Sequence, residues 1–467
     1  MMTIELHNFG PIKYFKFDLD RDLHAIFGKN NIGKSYALSA VYLLLKGLTS
    51  YRSERVRYFE SEEFYYFYGR IFPKSFKEAI DEKIANIGSE SISITAECEN
   101  SLKEIISRDF LIAINQSFNN SFSFDIIQNK YTNRPLKIGI KTNFMSILLE
   151  MNDKKDKGLQ ISSIKMQSDI SIKKLNTNRH YRESDSSLTF YYNSKTQAIN
   201  QIEQCIGICL QKGLWPNIQN VYFLPASRSG LYNALSTFGA IMAELSQSRT
   251  LLRSKIELPN ISEPVSDYFL NLSSVRNTKG NAEFADLAKD IEQQILQGKI
   301  SFNSKTKKFF YQPENLGIEL DLSVTSSMIS EIAPIVAHLK FILSQREGRR
   351  TKSLLFIEEP EAHLHPEIQV KLIEFFVRLI DQNVKVVMTS HSNYIFNKLS
   401  NLIIGKKVDA NRLSISLMKM GKEGSEAQKD AMGVDEYGIE DQNFADIAEQ
   451  LYDERVQLID ELNQKLS

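Results

Sequence analysis

The sequence predicts an α/β fold, with a mixed sheet flanked by helices and a large inserted region that is mainly helical. Three observations support this prediction. A strand, a glycine-rich loop and a helix follow one another within residues 1–50. Two apolar strands separated by a helix appear between residues 353 and 389. Residues 51–220 show neither pattern and are rich in polar and aromatic side chains, as expected of an insertion.

The composition is that of an ordinary globular protein. The 467 residues include 57 Lys and Arg against 57 Asp and Glu, and 42% are hydrophobic. A balanced charge gives no overall attraction to nucleic acid or to an anionic membrane, so any such contact must be local. No apolar run is long enough to span a bilayer, and the start does not resemble a secretory signal. We therefore expect a cytoplasmic protein without a membrane contact.

The cysteines agree with a reducing compartment. Cys98, Cys205 and Cys209 fit neither a disulfide framework nor a zinc spacing.

The N-terminal elements follow from alternation and apolar runs. Residues 3–9 and 14–19 alternate as strands, and residues 23–27 form a short buried strand. The periodicity then predicts a helix over 36–46, with Gly47 as its C-cap.

The loop between the third strand and this helix fits the pattern G-x-x-x-x-G-K-S. Glycines at both ends allow backbone N–H groups to point at phosphate oxygens, and the helix that follows adds the positive end of its dipole. Lys34 would bridge the β- and γ-phosphates, and the Ser35 hydroxyl would bind Mg²⁺. The predicted nucleotide-binding residues are Gly28, Asn30, Asn31, Ile32, Gly33, Lys34, Ser35 and Tyr36.

A second acidic element is expected on a neighbouring strand. The apolar residues 354–357 lead into Glu358 and Glu359, at the edge where open α/β sheets bind ligands. Glu358 would hold Mg²⁺, and Glu359 would polarise the attacking water as a catalytic residue. His391 follows the next strand, where its imidazole could reach the γ-phosphate as a second catalytic residue.

Together these motifs resemble the ABC-type ATPases of the RecF, SMC and OLD branch. The resemblance covers residues 1–50 and about 222–404, including the run E-E-P-E-A-H-L-H-P at 358–366. It implies a P-loop ABC-ATPase head, and two such heads would sandwich ATP. It also implies that a serine-rich loop, matched here by residues 325–328, contacts the nucleotide of the partner head through Ser327. A plain helix N-cap is the alternative role for Ser327.

The sequence departs from that family in three places. Met328 stands where a glycine usually follows the serines, and Glu358 replaces the usual aspartate. No glutamine can be assigned to the family's Q-loop. The segment 223–228 resembles a short motif of the branch, and Arg228 at its end would face nucleotide or the dimer partner, or form a structural salt bridge.

Two metal patterns have simpler explanations. His363 and His365, with His391, could bind zinc, but the resemblance places the first two in a loop at the head interface. Asp18, Asp20 and Asp22 lack the later residues of a calcium loop, so we expect a charged turn there.

Two charged segments lie outside the head motifs. From Lys154 to Arg182 there are eight Lys or Arg against two Asp, which fits a solvated face or a nucleic-acid contact. From residue 421 to the end there are thirteen acids against four bases. Its apolar residues share one face of a predicted, docked helix: Phe444, Ile447, Leu451, Leu458 and Leu462.

These patterns divide the chain into four parts. Residues 1–50 and 221–420 form the head, residues 51–220 the insertion, and residues 421–467 an acidic helical tail. Residues after 404 contain no Asp-x-Asp of the kind that a TOPRIM nuclease module carries. The architecture is similar to the stand-alone ATPase subunits of two-gene anti-phage systems such as Septu and PARIS.

That similarity implies a slowly hydrolysing ATP switch that dimerises, or forms a higher even assembly, and controls a separate effector nuclease. Two alternatives remain: a RecF-like DNA-repair ATPase, and an enzyme with a nuclease site in the insertion.

Overall fold

A computed structural model describes most of the chain. The described residues are 2–59, 74–85, 91–132, 134–152, 158–174, 181–183, 187–214, 216–234, 261–275, 282–343, 352–427, 433–439 and 445–466.

The described residues form 20 strands and 11 α-helices. The strands are β1 Met2–Phe9, β2 Ile12–Asp18, β3 Leu23–Gly28, β4 Ile92–Ser93, β5 Lys137–Thr142, β6 Met145–Asn152, β7 Gly158–Met166, β8 Asp169–Lys174, β9 Tyr181–Glu183, β10 Ser187–Tyr192, β11 Asn220–Leu224, β12 Gly298–Asn303, β13 Lys308–Pro313, β14 Leu320–Asp321, β15 Ser353–Glu358, β16 Val384–Ser390, β17 Leu413–Gly421, β18 Gly424–Ala427, β19 Val434–Asp435 and β20 Gly438–Ile439. The α-helices are α1 Lys34–Phe59, α2 Lys74–Ala85, α3 Thr95–Phe122, α4 Phe124–Ile127, α5 Lys195–Gly213, α6 Glu263–Ser273, α7 Ala282–Ile291, α8 Ser327–Ala337, α9 Pro366–Asp381, α10 Asn393–Ile404 and α11 Ala445–Leu466.

One large mixed sheet organises the molecule, as predicted. Its 11 strands follow the order β11-β15-β16-β3-β17-β18-β2-β1-β5-β6-β7. The five strands from β11 to β17 are mutually parallel, whereas those from β2 to β7 pair antiparallel. Strand β15 is almost wholly buried because both faces of this parallel part are covered.

Two apolar clusters cover the two faces of the sheet. On one face, α1 and α3 pack against each other and against β1, β2 and β5–β7. On the other face lie α6, α7, α8, α9 and α10. The parallel part of the sheet is therefore held between two helical layers, an arrangement that parallel strands require in order to bury their apolar runs.

The insertion contains the predicted helices but also contributes strands. Strands β5, β6 and β7 extend the main sheet beyond β1, and β4-β8-β10-β9 form a second sheet. Part of the insertion therefore continues the main sheet. The prediction of a mainly helical insertion did not include these strands. The local sequence does not reveal this pairing, because the residues of β1 that pair with β5 lie 130 to 140 positions earlier in the chain.

Gly47 does not end the first helix, which continues to Phe59. A Cβ at Gly47 would lie 2.5 Å from Cδ1 of Ile114 on α3. The glycine therefore lets α1 and α3 approach closely, and this packing accounts for it better than a C-cap does.

The acidic tail begins inside the sheet. Strand β18 lies between β17 and β2, so residues 424–427 belong to the main sheet. The predicted helix is present as α11. The prediction that its apolar face is docked is wrong for the described side chains, because Leu451, Leu458 and Leu462 are 60%, 58% and 57% exposed.

Among the described residues, no helix is both long and apolar enough to cross a membrane.

Candidate functional site

Three neighbouring parallel strands deliver the predicted site residues to one edge of the sheet. Strand β16 pairs with β15 on one side and with β3 on the other. The glycine loop follows β3, Glu358 and Glu359 stand at the end of β15, and His391 follows β16. Residues more than 320 positions apart in the chain therefore converge at the carboxyl ends of the strands, where such sheets bind ligands.

The glycine loop needs its two glycines. Gly28 has a φ of 141° and Gly33 a φ of 95°, both in the region that side chains disfavour. A Cβ at Gly28 would lie 2.6 Å from the carbonyl oxygen of Met418, and one at Gly33 would lie 2.7 Å from Cγ of Pro11. The loop is fixed in shape by this packing.

Lys34 is buried at the start of α1. Its Nζ donates to the carbonyl oxygens of Gly28 at 3.1 Å and Lys29 at 2.8 Å, so the ammonium lies curled inside the loop. Burial lowers the pKa of Lys34 to about 8, although Glu359 and Glu361 act in the opposite direction. A buried cation with two carbonyl contacts favours an anionic ligand that completes its solvation.

A cavity of about 560 Å³ lies over the loop. It is large enough to hold a triphosphate. Its lining residues are Pro11, Asn30, Asn31, Ile32, Gly33, Lys34, Ser35, Tyr36, Glu359 and His391.

Glu358 lies beside this cavity at the end of β15. Burial raises the pKa of Glu358, and a hydrogen bond from the Ser35 hydroxyl and another from the backbone of Ala226 partly offset that effect. The Ser35 hydroxyl and the Glu358 carboxylate are thus adjacent oxygen donors. Such hard ligands fit Mg²⁺, which is commonly held by one or two protein groups together with substrate phosphates and water.

Glu359 forms a pair with His391. Nε2 of His391 lies 3.5 Å from Oε1 of Glu359. The pKa of Glu359 is lowered, chiefly by a hydrogen bond from His391. Glu359 also has a φ of 40°, and its backbone N–H donates to the carbonyl oxygen of Thr389 at 3.1 Å. The backbone contact fixes where the carboxylate leaves the strand.

Glu361 is a site residue that the sequence analysis did not identify. Its Oε1 accepts from the Ser390 hydroxyl at 2.8 Å and from the backbone N–H of His391 at 2.6 Å. The carboxylate therefore holds the turn that presents His391. The run E-E-P-E contained the signal, since an acid three residues beyond the end of β15 can reach the adjacent turn.

Ser327 lies elsewhere. It is exposed at the first turn of α8 and is not among the described residues that line the cavity. The N-cap is Ser326, whose side chain accepts from the backbone N–H of Ile329. The helix N-cap is therefore Ser326 and not Ser327, and Ser327 lies at the surface.

A family described as AAA ATPase domain matches residues 1–396. The chain belongs to this family. The protein is accordingly an ATPase, and it binds ATP. No curated protein matches the sequence significantly.

Solved structures similar to this ATPase include SMC heads. The SMC head domain from Thermotoga maritima is 7% identical with a TM-score of 0.38, covering 91% of this chain and 97% of that chain. An SmcHead bound to the C-winged helix domain of ScpA is 10% identical, with a TM-score of 0.36, covering 91% of this chain and 96% of that one. An Smc head with an extended coiled coil, bound to a C-terminal domain of ScpA from Pyrococcus furiosus, is 9% identical, with a TM-score of 0.35, covering 92% and 96%.

The metal alternatives for the ATPase gain no support. Within the described ranges, no cluster of three or more His, Cys, Asp or Glu could hold a metal ion. Nδ1 of His365 instead accepts from the backbone of Glu367 as an N-cap. Asp22 pairs with Lys385 and Arg412, as expected of a charged turn.

The basic segment from Lys154 to Arg182 is described only in part. Residues 153–157 and 175–180, which carry half of its Lys and Arg, lie outside the described residues. Lys165 lies on β7 in the main sheet, whereas Lys173, Lys174 and Arg182 lie in the second sheet.

Proposed function

We propose that this ATPase is a switch that closes around ATP and reopens after slow hydrolysis. The observation that carries the proposal is the convergence of Lys34, Ser35, Glu359 and His391 on one cavity from three separate parts of the chain. Groups from distant segments that meet at a strand edge, two of them with shifted pKa values, are typical of a catalytic site.

In this proposal the loop N–H groups and Lys34 bind the phosphates. Ser35 and Glu358 hold Mg²⁺, which when bound neutralises the charge of the β- and γ-phosphates. Glu359 accepts a hydrogen bond from the attacking water, and its lowered pKa keeps it ionised at neutral pH. His391 orients Glu359 and donates to the γ-phosphate as negative charge develops.

We propose that two heads complete each site. Ser327 is exposed and Val324 beside it is 71% exposed, so this surface is available to a second copy. The Ser327 hydroxyl of one head would contact the γ-phosphate held by the other. Dimers or higher even assemblies would therefore depend on ATP.

The output of the switch is proposed to be control of a separate nuclease in anti-phage defence. The support is the similarity of the motifs to those of the ATPase subunits of two-gene defence systems. A state that lasts as long as ATP remains bound suits a regulator, because slow hydrolysis prolongs the signal.

Light scattering with and without ATP tests the switch. Glu359→Gln should bind ATP, lose hydrolysis by about 10²-fold or more, and accumulate as ATP-dependent dimers. Ser327→Arg should bind ATP but stay monomeric. Gln160→Arg, an exposed change on β7, is the control and should dimerise as the wild type does. Dimers of Ser327→Arg that form normally with ATP would contradict the proposed interface.

Plaque assays test the proposed output. Cells that carry the gene with its neighbour should resist phage, and Lys34→Ala should remove that resistance. DNA cleavage by the purified chain alone would contradict a separate effector, and protection that does not need Lys34 would contradict the switch.

A further inference from the structure

A buried ion pair connects the turn of Glu359 to the helix that begins at Ser327. Nη2 of Arg228 lies 3.2 Å from Oε2 of Glu331 on α8, and the two side chains are 0% and 1% exposed. Two opposite charges removed from water stay together, because separation leaves each without solvation. Of the roles considered for Arg228, the structure therefore supports the salt bridge.

The same guanidinium holds the end of β15. Its Nη1 donates to the carbonyl oxygen of Glu358 at 2.8 Å and to that of Pro225 at 3.1 Å. Its Nη2 donates to the carbonyl oxygen of Glu359 at 3.4 Å. Arg228 thus bonds the backbone of both acidic residues without touching their carboxylates.

Glu359 depends on such support. Its φ of 40° is a conformation that residues other than glycine disfavour, so neighbouring contacts must impose it. Thr389 holds its N–H side and Arg228 holds its carbonyl side. A shift of Arg228 would redirect the Glu359 carboxylate within the cavity.

Glu331 links this arrangement to Ser327. It lies one turn after Ser327 on α8, and its Oε1 accepts from the Ser229 hydroxyl at 2.6 Å. Nε of Arg228 also donates to the carbonyl oxygen of Glu331 at 3.3 Å. Movement of the first turn of α8 is therefore transmitted to Arg228 through both the side chain and the backbone of Glu331.

We propose that Arg228 and Glu331 are positioning residues that couple the contact of Ser327 with the partner's nucleotide to the placement of Glu359 in the same chain. This inference rests on the proposed function, because it takes Glu359 as the residue that polarises water and Ser327 as the contact across the dimer. Hydrolysis in one site would thereby depend on closure around the other.

The concentration dependence of ATP hydrolysis tests the coupling. Wild-type activity per head should rise as heads dimerise. Glu331→Gln keeps the size of the side chain and an acceptor for Ser229, but removes the charge that Arg228 needs. It should dimerise with ATP, keep its KM within about twofold, and lose kcat by about tenfold, with little rise on dimerisation.

Glu292→Gln is a matched control. Glu292 is 5% exposed and pairs with Lys340 at 2.8 Å, so this change also breaks a mostly buried ion pair, but one whose two residues do not line the cavity. It should lower the melting temperature and leave kcat and its concentration dependence unchanged. If Glu331→Gln keeps the wild-type concentration dependence, or if both variants lose kcat equally, the coupling is refuted.

Two further variants cover the case in which Glu331→Gln does not fold. Ser229→Ala removes only the hydroxyl that bonds Glu331 and should lower kcat several-fold at constant KM. Arg228→Lys keeps the charge, but a lysine cannot donate to three backbone segments at once. Its kcat should therefore also fall below that of the wild type. Wild-type kinetics in both would refute the proposal.

Glu359→Gln distinguishes a failure of the proposed function from a failure of the coupling alone. If Glu359→Gln hydrolyses ATP normally, the proposed function fails and the coupling fails with it. If Glu359→Gln is inactive while Glu331→Gln behaves as the wild type, only the coupling fails.

Discussion

Nε2 of His391 and Oε1 of Glu359 lie 3.5 Å apart in the wall of the cavity. The imidazole is the largest cause of the lowered pKa of Glu359. A carboxyl whose pKa is lowered stays ionised to more acidic pH, so in the proposed mechanism this contact would extend the pH range over which Glu359 acts as a base.

We predict that His391→Ala lowers kcat by about 10²-fold and changes the pH profile. Without the hydrogen bond the pKa of Glu359 rises, so the acid limb of the kcat profile should move to higher pH. His391→Gln can still donate to Glu359 and should restore part of that shift. Profiles of kcat measured between pH 4 and 8 test this prediction. An acid limb at the same pH in His391→Ala and in the wild type would contradict an effect of His391 on the pKa of Glu359.

A second prediction concerns the pH dependence of ATP binding. Burial lowers the pKa of Lys34 to about 8, so the free protein loses this charge as pH rises through that value. A bound triphosphate favours the charged ammonium, and binding above pH 8 should therefore take up a proton.

Calorimetry in buffers of different ionisation enthalpy measures this uptake. ATP affinity should fall between pH 7 and 9 in the wild type but stay level in Lys34→Arg, whose guanidinium keeps its charge. An affinity of the wild type that is equally level over this range would contradict the assignment.

The third prediction concerns the shape of the loop. Gly28→Ala combines a disfavoured φ with a clash against the carbonyl oxygen of Met418, so we expect a loss of about 3 kcal/mol in unfolding free energy and no ATP binding. Gly230→Ala is the control, because a Cβ there meets nothing within 4 Å. Denaturant melts compare the two, and equal stability of both variants would show that the loop tolerates a side chain.

Much of the fold and of the candidate site was predictable because the signals are local. Strands β3, β15 and β16 carry apolar runs. Each leads into residues suited to a nucleotide site: the glycine loop after β3, the acidic pair at the end of β15 and His391 after β16. The glycine pattern and the acidic pair at Glu358 and Glu359 needed no knowledge of the rest of the chain. The glycine loop and the acidic pair meet at one edge of the sheet because the strands that carry them are parallel, and the carboxyl ends of parallel strands share an edge.

The remaining features depend on distant pairings. Gly47 was interpreted as a cap, because a sequence does not reveal that Ile114 packs above it. The addition of β5 to the edge of the sheet and the exposure of α11 likewise depend on which surfaces meet. The role of Arg228 required the structure, since an arginine that donates to four backbone carbonyls looks the same in sequence as one that binds phosphate.

The most direct test of the account is the affinity for ATP of wild type and Lys34→Ala, measured by calorimetry at pH 7 with Mg²⁺. Lys29→Ala, which removes an exposed neighbour in the same loop, is the control. The account predicts a loss of about 10²-fold or more in Lys34→Ala and little change in Lys29→Ala. Equal affinities of the wild type and Lys34→Ala would contradict the claim that the loop and the paired acids enclose one triphosphate.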